Sequence, residues 1–214
     1  MKNIYIYCEG QTEESFVNGV LYPYFRKIDI YVTPIIHKTK RTSIKSYKGG
    51  VGDYKHIKGE LLKLCKNPNV FVTTMFDYYG MPSDTPFIDY VDVDLYKQIE
   101  YIEQKITDDI GCKNFKFNFV LHEFEGLLFS DVCAFKVIAN DSVVNKLNKI
   151  REKYQTPEHI NNSVHIAPSK RIESVISDYL KVRQGILVAK NIGIDKIISE
   201  CKHFSKWINM MKDV

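Results

Sequence analysis

Three apolar runs, each followed within two residues by an acidic residue, stand out in the pattern of hydrophobic and polar positions. Each run has the length and the β-branched or aromatic content of a strand. The middle run shows no clean alternation, as expected of a parallel strand covered on both faces. The runs and the acids that follow them are residues 3–8 with Glu9, 70–76 with Asp77, and 115–121 with Glu123 and Glu125.

Segments with apolar residues at helical spacing lie between and after these runs. A fourth strand is expected over residues 28–36, broken by Pro34, and Pro23 predicts a kink or an early end in the first helix. The helices are predicted over residues 13–27, 54–66, 93–110, 141–154, 169–182 and 194–211.

The alternation of strands and helices predicts the fold class. It favours an α/β fold, a three-layer Rossmann-like sandwich with a largely parallel central sheet. From Ser130 onward the pattern contains helices and no convincing strand. We therefore expect an α/β domain over residues 1–129 and a helical C-terminal extension over residues 130–214, packed on the same core.

Composition indicates a protein that functions in the cytoplasm. The chain has 214 residues, of which 44% are hydrophobic, enough for a sizeable core. No apolar run approaches the roughly 20 residues that span a bilayer, and residues 1–3 lead directly into a strand. The five cysteines are scattered and form no C-x-x-C pair, which argues against a disulfide framework and a zinc site. We expect a soluble, cytoplasmic protein with reduced thiols and no membrane partner.

A basic segment with interleaved aromatic residues occupies residues 38–58. The net charge of the chain is +4, and within this segment Asp53 is the single acid. Such a segment suits a phosphate backbone and unstacked bases, although a solvated surface loop would look the same. Its cations are Lys38, Lys40, Arg41, Lys45, Lys48, Lys55 and Lys58.

The acids at the strand ends predict a cation site. Ligands of open α/β sheets bind beyond the carboxyl ends of the strands, and clustered carboxylates repel one another unless a cation neutralises them. Oxygen ligands of this kind suit Mg²⁺ or Mn²⁺, which can polarise a phosphoryl oxygen and activate water. Glu13 and Glu14 in a first helical turn have a simpler reading as partners of the helix dipole. Glu125 could equally cap the helix that follows it.

Several further polar residues allow two readings each. Lys170 and Arg171 stand at a predicted helix start, which is unfavourable for cations. This position indicates either a phosphate that needs charge stabilisation or ordinary surface charge. Lys181 and Arg183, before a glycine, show a similar pattern.

Three aromatic side chains near the acids are also open to two readings. His122 is either a ligand or proton shuttle, or a histidine packed at a strand end. Tyr78 and Tyr79 either position a substrate or pack beneath the site.

Motifs along most of the chain resemble a known group of proteins. Cys8-Glu9-Gly10-Gln11-Thr12-Glu13, at the end of the first strand, resembles the opening glutamate motif of the Toprim superfamily. That superfamily includes topoisomerases, bacterial primases and OLD-type nucleases. Five further segments resemble signatures of an uncharacterised bacterial Toprim-like family: Phe76–Pro82, His122–Phe129, Pro157–Asn161, Pro168–Ile172 and Cys201–Phe204.

This resemblance implies a Toprim-like fold and a Toprim-type metal site. Glu9 matches the glutamate that acts as a ligand or general acid/base, and Asp77 matches the first acid of the Asp-x-Asp pair. The second acid is absent, because position 79 is Tyr. Glu123 or Glu125 would then supply the missing ligand.

The resulting hypothesis is a nuclease or nucleic-acid-processing subunit that depends on Mg²⁺ or Mn²⁺. DNA is favoured over RNA, and the resemblance implies an ATPase partner of the SMC or OLD kind in phage defence. The alternatives are a non-catalytic subunit that binds nucleic acid or a partner, and a phosphohydrolase of small substrates. The expected catalytic residues are Glu9, Asp77 and Lys170; the metal ligands are Glu9, Asp77, Glu123 and Glu125; the nucleic-acid contacts are Lys38, Lys40, Arg41, Lys45, Lys48 and Arg171.

Overall fold

The structure, a computed structural model, describes residues 2–37, 53–160 and 166–214. Its centre is a five-stranded sheet in the order β2-β1-β3-β4, with β5 also paired to β3. All of these pairings are parallel, which confirms the predicted fold class. The strands are β1 (Lys2–Cys8), β2 (Ile30–Ile36), β3 (Phe71–Asp77), β4 (Phe115–Lys116) and β5 (Phe119–Val120).

Helices of the described residues surround this sheet. A π-helical turn, Val17–Leu21, joins the first two of them into one continuous element. The α-helices are α1 (Gln11–Phe16), α2 (Tyr22–Arg26), α3 (Tyr54–Leu64), α4 (Leu95–Ile110), α5 (Phe124–Leu127), α6 (Asp141–Arg151), α7 (Pro168–Glu173), α8 (Ile186–Ile192), α9 (Ile194–Glu200) and α10 (Lys202–Asp213).

Two hydrophobic clusters, one on each face of the sheet, make the three layers. Neighbouring residues of a strand point to opposite faces, so Ile6 joins one cluster and Tyr7 the other. The Ile6 cluster includes Phe16 of α1 and Trp207 of α10, whereas the Tyr7 cluster includes residues of α3 and α4 such as Ile102. The sheet is therefore covered on both sides, as the lack of alternation in β3 predicts.

Strand β2 is continuous through Pro34, so the predicted break is wrong. Pro34 stands opposite Ile6 in an unbroken register from Ile30 to Ile36. Proline lacks a backbone donor, which matters only where a neighbouring strand needs one. Because β2 lies at the edge of the sheet, the missing donor can face away from β1.

The predicted strand over residues 115–121 is present as two short pieces, β4 and β5. Between them, the Oγ1 of Thr74 donates to the carbonyl of Asn118 (2.7 Å) and accepts from its N–H (2.8 Å). The hydroxyl takes the place of a peptide group of β3 at this point. The register is the same on both sides of this interruption: Phe115 and Lys116 pair with Val72 and Thr73, and Phe119 and Val120 pair with Phe76 and Asp77.

The C-terminal part is helical, but its helices differ from the predicted ones. Within the described residues from 130 onward there is no strand. The helix predicted over residues 169–182 ends at Glu173, and a π-helical turn, Lys181–Gly185, leads into α8. The segment predicted as one helix from 194 to 211 is divided by Cys201, whose backbone is extended.

Residues of both predicted domains share one hydrophobic cluster, in which Phe16 contacts Phe204 at 6.1 Å between ring centroids. The division after residue 129 stays a prediction. In the part of the chain that the structure describes, none of the helices has the length and apolar character needed to cross a bilayer. All five cysteines are free thiols.

Candidate active site

Glu9 and Asp77 lie side by side at the C-terminal edge of the sheet. Their strands, β1 and β3, are adjacent and parallel, with Cys8 opposite Met75. The N–H of Glu9 donates to the carbonyl of Met75 (3.2 Å), and the N–H of Asp77 donates to Oε2 of Glu9 (3.2 Å). The strand adjacency that the predicted cation site requires is therefore present.

The carboxylate of Glu9 rests against a glycine. A Cβ atom at Gly80 would lie 2.9 Å from Oε2 and 3.0 Å from Oε1 of Glu9, closer than side chains allow. Gly80 belongs to the 3₁₀ turn Tyr78–Gly80 that follows Asp77. The absence of a side chain there lets this turn pass over the acid.

Glu13 adds a further buried carboxylate near Glu9. Its Oε2 accepts a hydrogen bond from the N–H of Gly10 (2.9 Å), in a capping box at the start of α1. This contact supports the structural reading of Glu13. Its charge still acts on the site, because it raises the pKa of Glu9 and Asp77.

The acids of the third strand follow β5 into a short helix. Glu123 is the N-cap residue of α5, and its Oε2 accepts from the N–H of Ser169 (3.0 Å) at the start of α7. Glu125 lies inside α5 and is 2% exposed, so it does not cap that helix. Its nearest charged partner is Lys181, whose Nζ lies 3.5 Å from Oε1.

Burial and the repulsion of neighbouring acids raise the pKa values of Glu9, Asp77 and Glu125. Burial is the main cause for Glu9, with Glu13 adding to it, and the pKa of Glu9 reaches about 7. Burial likewise raises the pKa of Glu125 to about 7. Asp77 is shifted well above its ordinary value by burial, then by Glu9, Glu13, Glu125 and Glu123. The carboxylates are therefore close enough to oppose one another's ionisation.

Lys181 is the cation that the fold brings to these acids. Burial lowers its pKa, but Glu125, Glu123 and Asp77 outweigh this effect and raise it. Lys170, to which the sequence assigns a catalytic role, has its Nζ 2.6 Å from Oε2 of Glu173, and that ion pair is partly exposed. The π-helical turn that carries Lys181 places it opposite Glu125.

His122 lies next to Glu123 in a strained conformation. Its φ of 67° is in the left-handed region, which few residues other than glycine adopt. Both ring nitrogens are buried without a hydrogen bond. Burial, with a smaller effect of His159, lowers its pKa to about 4, so the ring is neutral at physiological pH. The ring stacks on Tyr79, with 5.1 Å between centroids and 19° between planes.

The oxygen atoms of the site suit a hard cation. Oδ1 of Asp77 is buried without a hydrogen-bond donor, and such an atom is costly unless a partner satisfies it. Oε1 of Glu125 is also buried, and its partner is Lys181, at 3.5 Å. A Mg²⁺ or Mn²⁺ ion prefers carboxylate oxygens of this kind. In residues 2–37, 53–160 and 166–214, however, no group of three or more His, Cys, Asp or Glu side chains is arranged to hold a metal ion. Binding would need side-chain movement.

The remaining predicted contacts divide into two groups. Arg171 is described, and its guanidinium donates to the carbonyl of Ile166 (2.8 Å) and to the hydroxyl of Tyr154. These contacts tie the start of α7 to the chain before it. The predicted nucleic-acid contacts in the basic segment, Lys38, Lys40, Arg41, Lys45 and Lys48, lie outside the described residues.

Tyr179 is a residue at the site that the sequence does not indicate. Its hydroxyl is buried without a hydrogen bond, and burial, followed by Glu125, raises its pKa. A Cβ atom at Gly185 would lie 2.7 Å from that hydroxyl. Because the apolar spacing predicts a helix through residue 182, the return of this segment to the acids was not predictable. In the sequence, the glycine at position 185 is the one feature that indicates close packing of the backbone in this segment.

Comparison with known proteins gives one result. A family model described as "Domain of unknown function (DUF4276)" matches residues 8–212. No curated protein and no solved structure matches the chain.

Proposed function

Since the chain belongs to the DUF4276 family, whose description states no activity, we propose a function from the geometry of the acidic edge. The protein is a Mg²⁺- or Mn²⁺-dependent nuclease or nucleic-acid-processing enzyme of the Toprim type. Glu9, Asp77, Glu123 and Glu125 hold the ion, and DNA is favoured over RNA as the substrate.

One observation carries this proposal. Acids from the ends of three parallel strands share one edge of the sheet, and the buried Oδ1 of Asp77 has no hydrogen-bond donor. Keeping such oxygens in a fold costs stability unless a ligand satisfies them. A site that is unfavourable by itself and suited to a hard cation supports a functional role.

The residues around the acids suit phosphodiester chemistry. A bound Mg²⁺ would polarise a phosphoryl oxygen and help to ionise an attacking water. The N–H of Asp77 orients Glu9 as a ligand or general base. Lys181 neutralises the acids and can stabilise negative charge on a phosphate that enters the site. Lys170, one residue beyond the Ser169 N–H that contacts Glu123, stays a second candidate for that role.

The proposal includes two partners. The basic segment would contact the nucleic-acid backbone, and its sequence-independent phosphate contacts would provide affinity. The Toprim resemblance adds an ATPase of the SMC or OLD kind, within phage defence. The support for this ATPase partner is the similarity of the sequence motifs to the Toprim superfamily.

A non-catalytic subunit is the second candidate function. The observation that favours it is Tyr79, which occupies the position of the second acid of the Asp-x-Asp pair. The lack of a preassembled metal-ligand group in the described residues agrees with it. Such a subunit would bind nucleic acid or the ATPase without cleaving.

A cleavage assay separates the two candidates. Purified protein, with and without an ATPase of the SMC or OLD kind, is incubated with single- and double-stranded DNA and RNA in Mg²⁺, Mn²⁺ or EDTA. The enzyme predicts cleavage that EDTA stops and that the Glu9→Gln variant lacks. Binding without cleavage in every combination would favour the non-catalytic subunit.

A further inference from the structure

Tyr79 is an exposed tyrosine in the turn that follows Asp77. The residue is 44% exposed, whereas most aromatic side chains near it are buried or half-buried. It belongs to the Tyr78–Gly80 turn, between Asp77 and the glycine that contacts the Glu9 carboxylate. An exposed aromatic residue thus stands two residues after Asp77 and immediately before the glycine that contacts Glu9.

The other face of the ring rests on His122. The two rings are nearly parallel, at 19°, with centroids 5.1 Å apart, and His122 is 4% exposed. Tyr78 adds a third ring, tilted by 50° at 5.6 Å. Tyr79 is therefore backed by a firm stack, which fixes the orientation of its open face.

The conformation and surroundings of His122 are energetically unfavourable. His122 adopts a left-handed backbone conformation, and its two buried nitrogens make no hydrogen bond. Packing of a histidine at a strand end needs neither feature. Strain of this kind persists where the surrounding structure enforces it, and it is concentrated at functional sites.

We infer that Tyr79 is a stacking platform for an unpaired base of a single-stranded nucleic acid, next to the phosphate that the acids act upon. Bases stack on exposed aromatic rings without regard to sequence, because each base has a π face. A paired duplex base has both faces covered by its neighbours and cannot use such a platform. The substrate class is therefore a single strand, or a flap or junction with unpaired bases. This inference rests on the proposed function for the identity of the site.

The test measures binding without cleavage. Single-stranded DNA carrying one 2-aminopurine, and the same strand in a duplex, are titrated with protein in EDTA, and the fluorescence of the probe is followed. Stacking quenches this fluorescence. We expect quenching with the single strand, roughly tenfold weaker binding and no quenching for Tyr79→Ala, and retention of both for Tyr79→Phe.

Two further variants serve as controls. Tyr22→Ala removes an equally exposed tyrosine, 41% exposed, from α2, the helix that leads to the N-terminal end of β2, and should bind like the wild type. If Tyr79→Ala does not fold, as judged by its circular dichroism, Tyr79→Leu keeps the volume and removes the π face.

The outcomes separate this inference from the proposed function. If Tyr79→Ala abolishes the quenching and the wild-type protein cleaves no nucleic acid, the platform is supported and the nuclease proposal is refuted. Cleavage with unchanged affinity and quenching in Tyr79→Ala and Tyr79→Leu would refute the platform and uphold the nuclease. Binding to duplex alone, or no binding to single strands, would also overturn the platform.

Discussion

The backbone N–H of Asp77 donates a hydrogen bond to the carboxylate of Glu9, with 3.2 Å between N and Oε2. The last peptide of one strand thus orients the acid of its neighbour. This contact does not depend on the Asp77 side chain, so that side chain can be changed while Glu9 keeps its position.

We expect Asp77→Asn to abolish metal-dependent cleavage and to preserve the fold. Loss of a charged ligand should lower the rate roughly a hundredfold or more. Without metal, the variant should be more stable by about 1 kcal/mol, because burial and the neighbouring acids raise the pKa of Asp77 and so oppose its ionisation. Single-turnover cleavage and thermal unfolding in EDTA measure the two effects. Asp89→Asn, at an exposed position, is the matched control. Full activity of Asp77→Asn would refute the role of Asp77 as a metal ligand.

Mn²⁺ or Mg²⁺ should stabilise the folded protein. An ion that binds the native state alone raises the unfolding temperature, by an amount that grows with its concentration. We expect the rise to shrink in Glu125→Gln and Glu9→Gln, since each removes a charged ligand. Glu173→Gln, which alters a partly exposed carboxylate paired with Lys170, should respond like the wild type. Differential scanning fluorimetry over a Mn²⁺ series measures this, and an equal response in every variant would contradict a site at the acidic edge.

Lys181→Met should destabilise the metal-free protein. The change leaves Glu125 without its cation, and the cost is about 1–2 kcal/mol after allowing for solvent screening of a partly exposed lysine. Mn²⁺ should restore part of this stability, because the ion neutralises the same acids. Lys170→Met, which removes a partly exposed ion pair, should cost less than about 1 kcal/mol. Chemical denaturation with and without Mn²⁺ gives the comparison, and equal losses in the two variants would refute the special position of Lys181.

The buried pair of His203 and Glu103 should make stability depend on pH. Burial acts to lower the pKa of His203, but the Glu103 carboxylate, 2.9 Å from its Nε2, outweighs burial and raises it. A raised folded-state pKa means that the contribution is complete below the unfolded value of about 6.5 and is lost as pH rises through the folded value.

His203→Gln should therefore cost about 3 kcal/mol at pH 6 and less at high pH. Urea denaturation between pH 5 and pH 9 measures the difference from wild type. Glu103→Gln should flatten the same slope, whereas Glu152→Gln, at an exposed position on the end of α6, should leave it unchanged. A pH-independent difference would show that folding leaves the pKa of His203 unchanged.

Neutralising Lys40, Arg41, Lys45 and Lys48 together should weaken nucleic-acid binding for all sequences. If each contacts one phosphate, the slope of log K against log salt should fall by roughly 3 for a single strand. The control changes an equal number of exposed lysines elsewhere: Lys66, Lys146, Lys149 and Lys153. Filter binding over a salt series gives both slopes. An unchanged slope in the first variant would show that the basic segment does not contact the nucleic acid and would favour its interpretation as a solvated surface loop.

The elements that follow from local pattern were predictable from the sequence. β1, β3, α3 and α4 agree with their predicted positions because each is a continuous apolar run or a clear amphipathic helix. The acids at the ends of β1 and β3 were likewise visible, since a parallel sheet brings such ends to one edge. The strand order could not be predicted from the sequence. That order places β2 at the edge of the sheet, where Pro34 is tolerated.

The part of the site that depends on long-range packing was not predictable. The apolar spacing around Ile172 and Tyr179 suits a helix, yet the chain leaves the helix at Glu173 and returns to the acids. That path, and not the local sequence, decides that Lys181 rather than Lys170 faces Glu125. Apolar periodicity shows which residues share a helix face, but it does not show where an irregular segment lies in the folded protein.

The hydroxyl of Thr74, which replaces a peptide group of β3, has a consequence for how the site is assembled. By pairing with both backbone groups of Asn118, it bridges the gap between β4 and β5, and the pairing with β3 resumes in the same register beside Phe76 and Asp77. The resumed strand ends where His122 and Glu123 are needed. A single side-chain oxygen therefore keeps the strand in register across the gap, so that the segment with His122 and Glu123 follows β5 at the same end of the sheet as Asp77.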